Sequence, residues 1–286
     1  ILILLALVVG ISLMLFAWRA PKATLGGDIG LVSRESLLLT NSVLLVVATA
    51  AVLLGTIYPL IIDALNLGEL SVGAPYFNAV FVPLMVPVIF SMVPGGIAHW
   101  RENRLRALAN DMRVPAIAAI ATGAAVWLFT DRGTWLSGMG SALAAWVVVG
   151  LCVQIITRLQ KPGRIAPSFW GMHLAHLGIA VIVIGITFVK GYEEERDVRM
   201  SIGDTVSLSN YRFQLTDVAI ADGPNYKALR ASVEVSKDGR VIEVLEPEKR
   251  KYFSSAMAMT EAAIDTGLFR DLYVSLGEPV GGGAWS

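Results

Sequence analysis

The chain has 286 residues, 55% of them hydrophobic and only 16% charged, a composition far from that of a soluble globular enzyme. Its 23 Lys and Arg balance its 23 Asp and Glu, so neither a nucleic-acid partner nor an acidic disordered tail is indicated. One cysteine, Cys152, lies in an apolar run and excludes an internal disulfide framework or a multi-cysteine metal cluster. The charges are segregated. Residues 1–189 carry 11 basic and 7 acidic side chains, whereas the shorter stretch 190–286 carries 12 and 16. Two regions bathed by different solvents are therefore expected, a transmembrane helical bundle over 1–189 and a polar domain over 190–286.

The first residue, Ile1, stands inside an apolar run that lacks the basic front and small-residue cleavage site of a signal peptide. Further sequence upstream, or on another chain, is expected. Crossing the hydrocarbon takes about 20 mostly apolar residues, since a helix rises about 1.5 Å per residue and no backbone group can stay unpaired in lipid. Six segments qualify: 1–18, 42–62, 77–97, 114–130, 138–157 and 170–189. Gly55, Pro59, Pro83, Pro87 and Pro94 interrupt them, which a packed bundle tolerates where neighbouring helices satisfy the freed backbone groups. The loops 19–41, 98–113 and 158–169 hold ten basic residues: Arg19, Lys22, Arg34, Arg101, Arg104, Arg106, Arg113, Arg158, Lys161 and Arg164. The alternate loops, 63–76 and 131–137, hold Arg132 alone. Positive loops stay in the cytoplasm, so the tail from Lys190 is expected on the extracytoplasmic, periplasmic side. The stretches 31–39 and 104–112 mix apolar with charged residues and read either as segments lying flat on the lipid bilayer or as ordinary helix caps.

From Val198 the periodicity changes. Tyr211–Leu215 and Ser232–Val235 alternate apolar with polar residues, and Gly203-Asp204, Asp222-Gly223-Pro224 and Asp238-Gly239 supply turns. Lys237-Asp238-Gly239-Arg240 is the clearest hairpin signal. Six or seven short strands in a small sandwich or partly open barrel are predicted. Gly281–Ser286 reads as a loop leading to a further span.

Ionisable groups within a membrane are costly and mark candidate sites. The three histidines are His99, His173 and His176. His176 is about 9 Å into a span counted from Trp170, and Ala175 and Gly178 beside it are small enough to admit a flat macrocycle or a neighbouring helix. A neutral imidazole ligates iron well, and histidine is a common haem ligand. The same side chain also serves as an interhelical hydrogen bond, and both readings stay open. His173 is the alternative ligand. His99, beside Trp100 and Arg101, reads as interfacial, and Asp63 as solvated. No dinucleotide, phosphate-loop or hydrolase motif occurs. The loop 68–78 combines Gly68, Gly73, Pro75 and the pair Tyr76-Phe77, either as a platform for a flat apolar ligand or as part of an interfacial aromatic belt.

Four pieces occur in order along the chain: Ser33-Arg34-Glu35-Ser36, Gly55-Thr56-Ile57-Tyr58-Pro59, Ser71–Asn78, and Gly171–Gly178 followed by a β-rich tail. Together they resemble the C-terminal half of CcmF, the haem lyase subunit of cytochrome c maturation. The resemblance implies a protein of the bacterial inner membrane, or of the mitochondrial inner membrane if a gene is split. Such a protein receives haem from the chaperone CcmE and, with CcmH, attaches it to apocytochrome c outside the membrane. It also implies a membrane haem b that keeps the transient haem reduced, with His176 at the position of one axial ligand and His173 at a position without that role. The family's tryptophan-rich segment, its two extracytoplasmic haem-binding histidines and the other haem b ligand belong to an N-terminal half with no counterpart here, and its last span would follow Ser286. Two rivals come from other classes. One is a non-haem scaffold whose β domain docks partners; the other is a secondary transporter, which would want midplane charges and an inverted repeat.

Overall fold

Helices occupy the first unit of the chain, Ile1–Tyr192, and strands the second, Glu193–Ser286, in the computed structural model. The structure describes residues 2–20, 30–68, 72–101, 104–130, 134–254, 257–268 and 270–286; Lys22, Glu69-Leu70-Ser71 and Arg132 of the sequence reading lie outside them. The helices are α1 (Leu2–Arg19), α2 (Arg34–Ala64), α3 (Ala74–Ile97), α4 (Leu105–Asp111), α5 (Arg113–Phe129), α6 (Trp135–Leu159) and α7 (Pro167–Tyr192).

Four of them, α2, α3, α6 and α7, are each long and apolar enough to cross a membrane, and α4 with α5, bent by 54°, makes a fifth. These five fall on the expected segments 42–62, 77–97, 114–130, 138–157 and 170–189. Segment 1–18 becomes the 18-residue helix α1. The observed helices also overrun the predicted spans at their ends, because capping residues rather than the apolar run set the boundary. Ser33 caps α2 in a reciprocal box with Ser36, and Thr134 caps α6 in the same way with Ser137. Stretch 31–39 is therefore a helix cap continuous with its span, while 104–112 is the separate short helix α4, which buries Leu108 and exposes Leu105.

α6 is the centre of the helical unit. Small residues on it let neighbours come close: a Cβ on Gly138 would lie 2.9 Å from the Gly123 carbonyl of α5, one on Gly150 would lie 2.5 Å from Val93 Cγ2 of α3, and one on Gly140 would collide with Thr187 of α7. Ile89, Val93, Trp146, Val147, Leu151 and Ala180 fill the core between α3, α6 and α7. Pro94 leaves the Phe90 carbonyl without its intrahelical donor, and the Trp146 indole N–H donates to it at 2.9 Å.

α2 packs on α3 through the expected aromatic pair. Tyr76 Oη donates to the Ala51 carbonyl at 3.0 Å, and a Cβ on Gly55 would meet Phe77 at 3.1 Å and overlap Tyr76. Tyr76 and Phe77 belong to the first turns of α3, where Gly55 provides the seat for them.

The second unit has strands β1 (Met200–Ser201), β2 (Thr205–Leu208), β3 (Tyr211–Asp222), β4 (Tyr226–Lys237), β5 (Arg240–Leu245), β6 (Glu248–Tyr252), β7 (Ala258–Glu261), β8 (Ala263–Thr266), β9 (Asp271–Val274), β10 (Pro279–Gly281) and β11 (Ala284–Trp285). The main sheet runs β2-β3-β4-β6-β7, with β5 also paired to β4; β1-β11-β10 and β8-β9 form two smaller sheets. Strands outnumber the six or seven expected because several are only two to four residues long and carry no periodicity to read. The β4–β5 hairpin closes as predicted on Asp238 and Gly239, with φ of 51° and 76°, both positive as a type I′ turn requires. The C-terminal loop reading is overturned. Gly281–Gly283 turns the chain so that Ala284–Trp285 pairs with both β10 and β1, and positive φ at all three glycines explains their run. Leu215, Ala231, Val233 and Leu276, then Val235, Leu245 and Leu272, form the core.

Candidate functional site

His173 and His176 both lie on α7, six and nine residues from its first residue, Pro167, so His176 is about 14 Å into the observed helix rather than 9 Å. Three residues apart, they sit about 60° apart around the helix axis and cannot grip one flat ring from opposite sides. Their surroundings differ. The His173 ring is buried, with its centroid 4.0 Å from that of Phe169. Its Nδ1 is 2.8 Å from the Phe169 carbonyl, and because a carbonyl only accepts, Nδ1 carries the proton. Nε2 is then a bare lone pair, buried and without a hydrogen-bond partner. His176, one turn on, is half-buried.

The small neighbours of His176 do not act as the sequence suggests. Gly178 is two positions on, about 200° around the helix, so it lies on the far face and not beside the imidazole. Gly171, Gly178 and Gly185 repeat every seven residues there, and a Cβ on any of them would meet nothing within 4 Å. His99 is exposed and its carbonyl accepts from the Arg34 N–H at 3.0 Å, which ties the start of α2 to the end of α3. The Arg34 guanidinium lies 5.0 Å over the Trp100 ring, and the Glu35 carboxylate accepts from the Arg101 N–H at 2.9 Å. The Ser-Arg-Glu-Ser piece is thus a structural junction. Cys152 is an exposed free thiol. Among the described residues no group of three or more His, Cys, Asp or Glu could hold a metal ion.

The second unit contains a charge cluster that the sequence reading missed. Glu248 on β6 is buried, accepts from Arg230 Nε and Arg250 Nε at 2.6 Å each, and stands opposite Arg230 in the ladder. Burial pushes its carboxyl up, but the hydrogen bonds from Arg250 and Arg230 outweigh that and hold it below the usual carboxylate range. Arg250 also reaches Glu261 at 3.4 Å and covers the Tyr226 ring at 4.7 Å. The signal was the alternation within Glu248-Lys249-Arg250-Lys251-Tyr252, where charge hides a strand period of two.

Residues 191–286 match the family described as the CcmF C-terminal beta-sandwich. The whole chain is 45% identical over 293 residues to the cytochrome c-type biogenesis protein CcmF of Pseudomonas aeruginosa and 42% identical over 287 residues to that of Escherichia coli, covering all of this chain and 44% of each relative. A solved structure titled cytochrome c heme lyase CcmF superposes with a TM-score of 0.65 at 21% identity, over 90% of this chain and 41% of that one. That likeness shows a shared fold. The chain spans less than half the length of these relatives; along its whole length it is similar to cytochrome c-type biogenesis proteins named CcmF, and its residues 191–286 match that family's C-terminal beta-sandwich.

Proposed function

We propose that the chain is the C-terminal part of a membrane haem lyase, that His176 is an axial ligand of a haem b within the bundle, and that the β unit meets partners on the extracytoplasmic side. The observation that carries this reading is the likeness, along the whole chain, to proteins named CcmF, joined to an imidazole pair set in an apolar helix. The donor set fits such a group: a neutral imidazole is a good iron ligand, and a half-buried one leaves a path to its ring. When bound, haem b supplies the electron that keeps delivered haem as Fe(II).

The chain's own residues then hold and orient. His173 fixes its ring on Phe169 and stiffens the first turns of α7 below His176. A haem held there would take a second ligand that neither His173, which shares a side with His176, nor His99, at the end of α3, is placed to supply. Haem arrives from CcmE, CcmH presents the apocytochrome c, and the thiols that form the thioethers are the apocytochrome's, since Cys152 is a lone thiol on α6. Residues 1–189 are the membrane part and 190–286 the exterior one, a placement supported by ten basic residues against one in the two sets of loops.

His176→Ala, His173→Ala and His99→Ala, compared in an assembly that includes the N-terminal half, test the ligand by pyridine haemochrome and reduced-minus-oxidised spectra. Loss of haem b in the first alone is expected. Normal low-spin haem b in His176→Ala refutes the assignment.

A further inference from the structure

Two stretches far apart in sequence meet at one end of the helical unit. The Gly30 N–H donates to the Arg101 carbonyl and the Arg34 N–H to that of His99, each at 3.0 Å, while the Glu35 carboxylate accepts from the Arg101 N–H. Residues 30–36 and 98–113 carry five arginines, Arg34, Arg101, Arg104, Arg106 and Arg113, against Glu35, Glu102 and Asp111, with Glu102 outside the described residues. The positive excess is not consumed within the fold. Among the described residues Arg104, Arg106 and Arg113 are exposed and form no ion pair. Arg34 Nε is buried without an acceptor, and its guanidinium lies over the Trp100 ring instead.

The surroundings of these cations select the anion that suits them. Leu31, Trp100 and Leu105 are 96%, 59% and 69% exposed, so large apolar side chains stand among the guanidinia. A dissolved anion would meet the charge and leave that apolar surface in water, at a cost proportional to its area. A phospholipid offers a phosphate for the one and acyl chains for the other. The helix directions agree. α4 and α5 are bent by 54°, and spanning helices tilt on average about 20° from the bilayer normal, so with α5 crossing, α4 leans well over toward the membrane surface. Leu108 is buried and fastens α4 to the bundle, whereas Leu105, one turn earlier, is open.

We propose that this end of the helical unit, around Arg34, Arg101, Arg104 and Arg106, binds anionic phospholipid, with the phosphodiester on the guanidinia and the upper acyl segments against Trp100 and Leu105. Arginine suits the task, because its planar fork pairs with two phosphate oxygens at once. Basic groups at the membrane surface enrich anionic lipid around them, each adding to the attraction. The inference rests on these helices lying in a bilayer and on neither haem nor either histidine, so its failure would leave the haem reading untouched.

The test uses the full chain in phosphatidylcholine nanodiscs doped with a lipid whose brominated acyl chains quench tryptophan on contact, either phosphatidylglycerol or phosphatidylcholine. The fluorescence lost in Trp100→Phe identifies the share of Trp100 among the seven tryptophans. Brominated phosphatidylglycerol should half-quench that share at a mole fraction roughly tenfold below the one brominated phosphatidylcholine requires. Arg104→Gln/Arg106→Gln should erase the difference, whereas Lys161→Gln/Arg164→Gln, which removes two exposed charges from another loop, should keep it. Should the first pair lose helix content by far-UV circular dichroism, the unaltered chain is measured at about 1 M salt, where the screening length falls to about 3 Å, and the difference should shrink several-fold. Equal quenching by the two lipids overturns the proposal, as does a difference that survives Arg104→Gln/Arg106→Gln or molar salt unchanged, or that vanishes equally in Lys161→Gln/Arg164→Gln. Its removal by millimolar inorganic phosphate at constant ionic strength overturns it too, by marking a site for the dissolved ion rather than for lipid.

Discussion

The bond from Trp146 to Phe90 can be isolated experimentally, because its need arises from one residue. Pro94 has no N–H, so the Phe90 carbonyl, four positions earlier, has no donor within α3. The Trp146 indole fills that role at 2.9 Å and stacks on the Phe90 ring at 4.8 Å with the planes 6° apart. Trp146→Phe keeps an aromatic ring and removes the donor. Leaving a buried carbonyl unpaired costs about 1–3 kcal/mol, although interhelical bonds in membranes average nearer ~0.6 kcal/mol because the unfolded state finds other partners. Here no backbone N–H can replace the indole, so about 1–2 kcal/mol is expected for the bond, with roughly 1 kcal/mol more for lost ring volume. Pro94→Ala restores an N–H four residues after Phe90 and should remove the first contribution only. Four proteins, unaltered, each single variant and the double, are compared by SDS-titration unfolding in bicelles. A coupling of about 1–2 kcal/mol is expected, and a Trp146→Phe cost that agrees in both backgrounds to within about 0.3 kcal/mol refutes the reasoning.

Other perturbations follow from the same packing. Gly150→Val should destabilise the helical unit by about 1–3 kcal/mol in the same assay, since even a Cβ there would lie 2.5 Å from Val93 Cγ2. Gly171→Ala, where a Cβ meets nothing within 4 Å, should change it by less than about 1 kcal/mol, the helix-propensity difference. Glu248→Gln should lower the melting temperature of the β unit by several degrees at neutral pH. Because the folded carboxyl titrates below its unfolded value, its contribution is fully present above the unfolded pKa and is lost as pH falls through the folded one, so the variant and the unaltered protein should converge in acid. A cysteine at the exposed turn residue Asn210, with Cys152 removed, should react with an impermeant reagent on intact spheroplasts; labelling only after lysis would invert the assigned orientation.

Hydropathy made the helices legible, since period and length are written in runs such as Leu44–Leu54, and the Asp238-Gly239 turn was legible because only a type I′ hairpin asks for two positive φ values in that setting. Helix ends were not, as Ser33 and Thr134 set them through side-chain bonds outside the apolar stretch. The packing of Tyr76-Phe77 on α2 was not legible, because composition says what a loop contains but not that Gly55, about twenty residues back, leaves a seat for it. Gly178 misled for a simpler reason, since adjacency in sequence is nearly opposition on a helix. Short strands such as Ala284–Trp285 have too few residues to show a period of two, so the tail read as a loop. Glu248 was hidden because its cross-strand partner Arg230 becomes a neighbour only when β4 and β6 pair.

The two histidines show how far local chemistry can divide residues of one type on one helix face. His173 is committed by its Nδ1 proton to Phe169, and that commitment leaves Nε2 chemically suited to a metal. Enclosure works against it: with Nε2 buried among protein atoms, an iron-bearing ring would have to displace packed neighbours of α7 before reaching the lone pair, and close-packed interiors resist that. His176 gives up some orientation, since it is only half-buried, and gains an approach path. Orientation can be supplied later by the bound group and by a facing helix, whereas access has to exist beforehand. That asymmetry supports the proposal of His176 as the ligand, with the fixed ring of His173 assigned to the scaffold one turn beneath it.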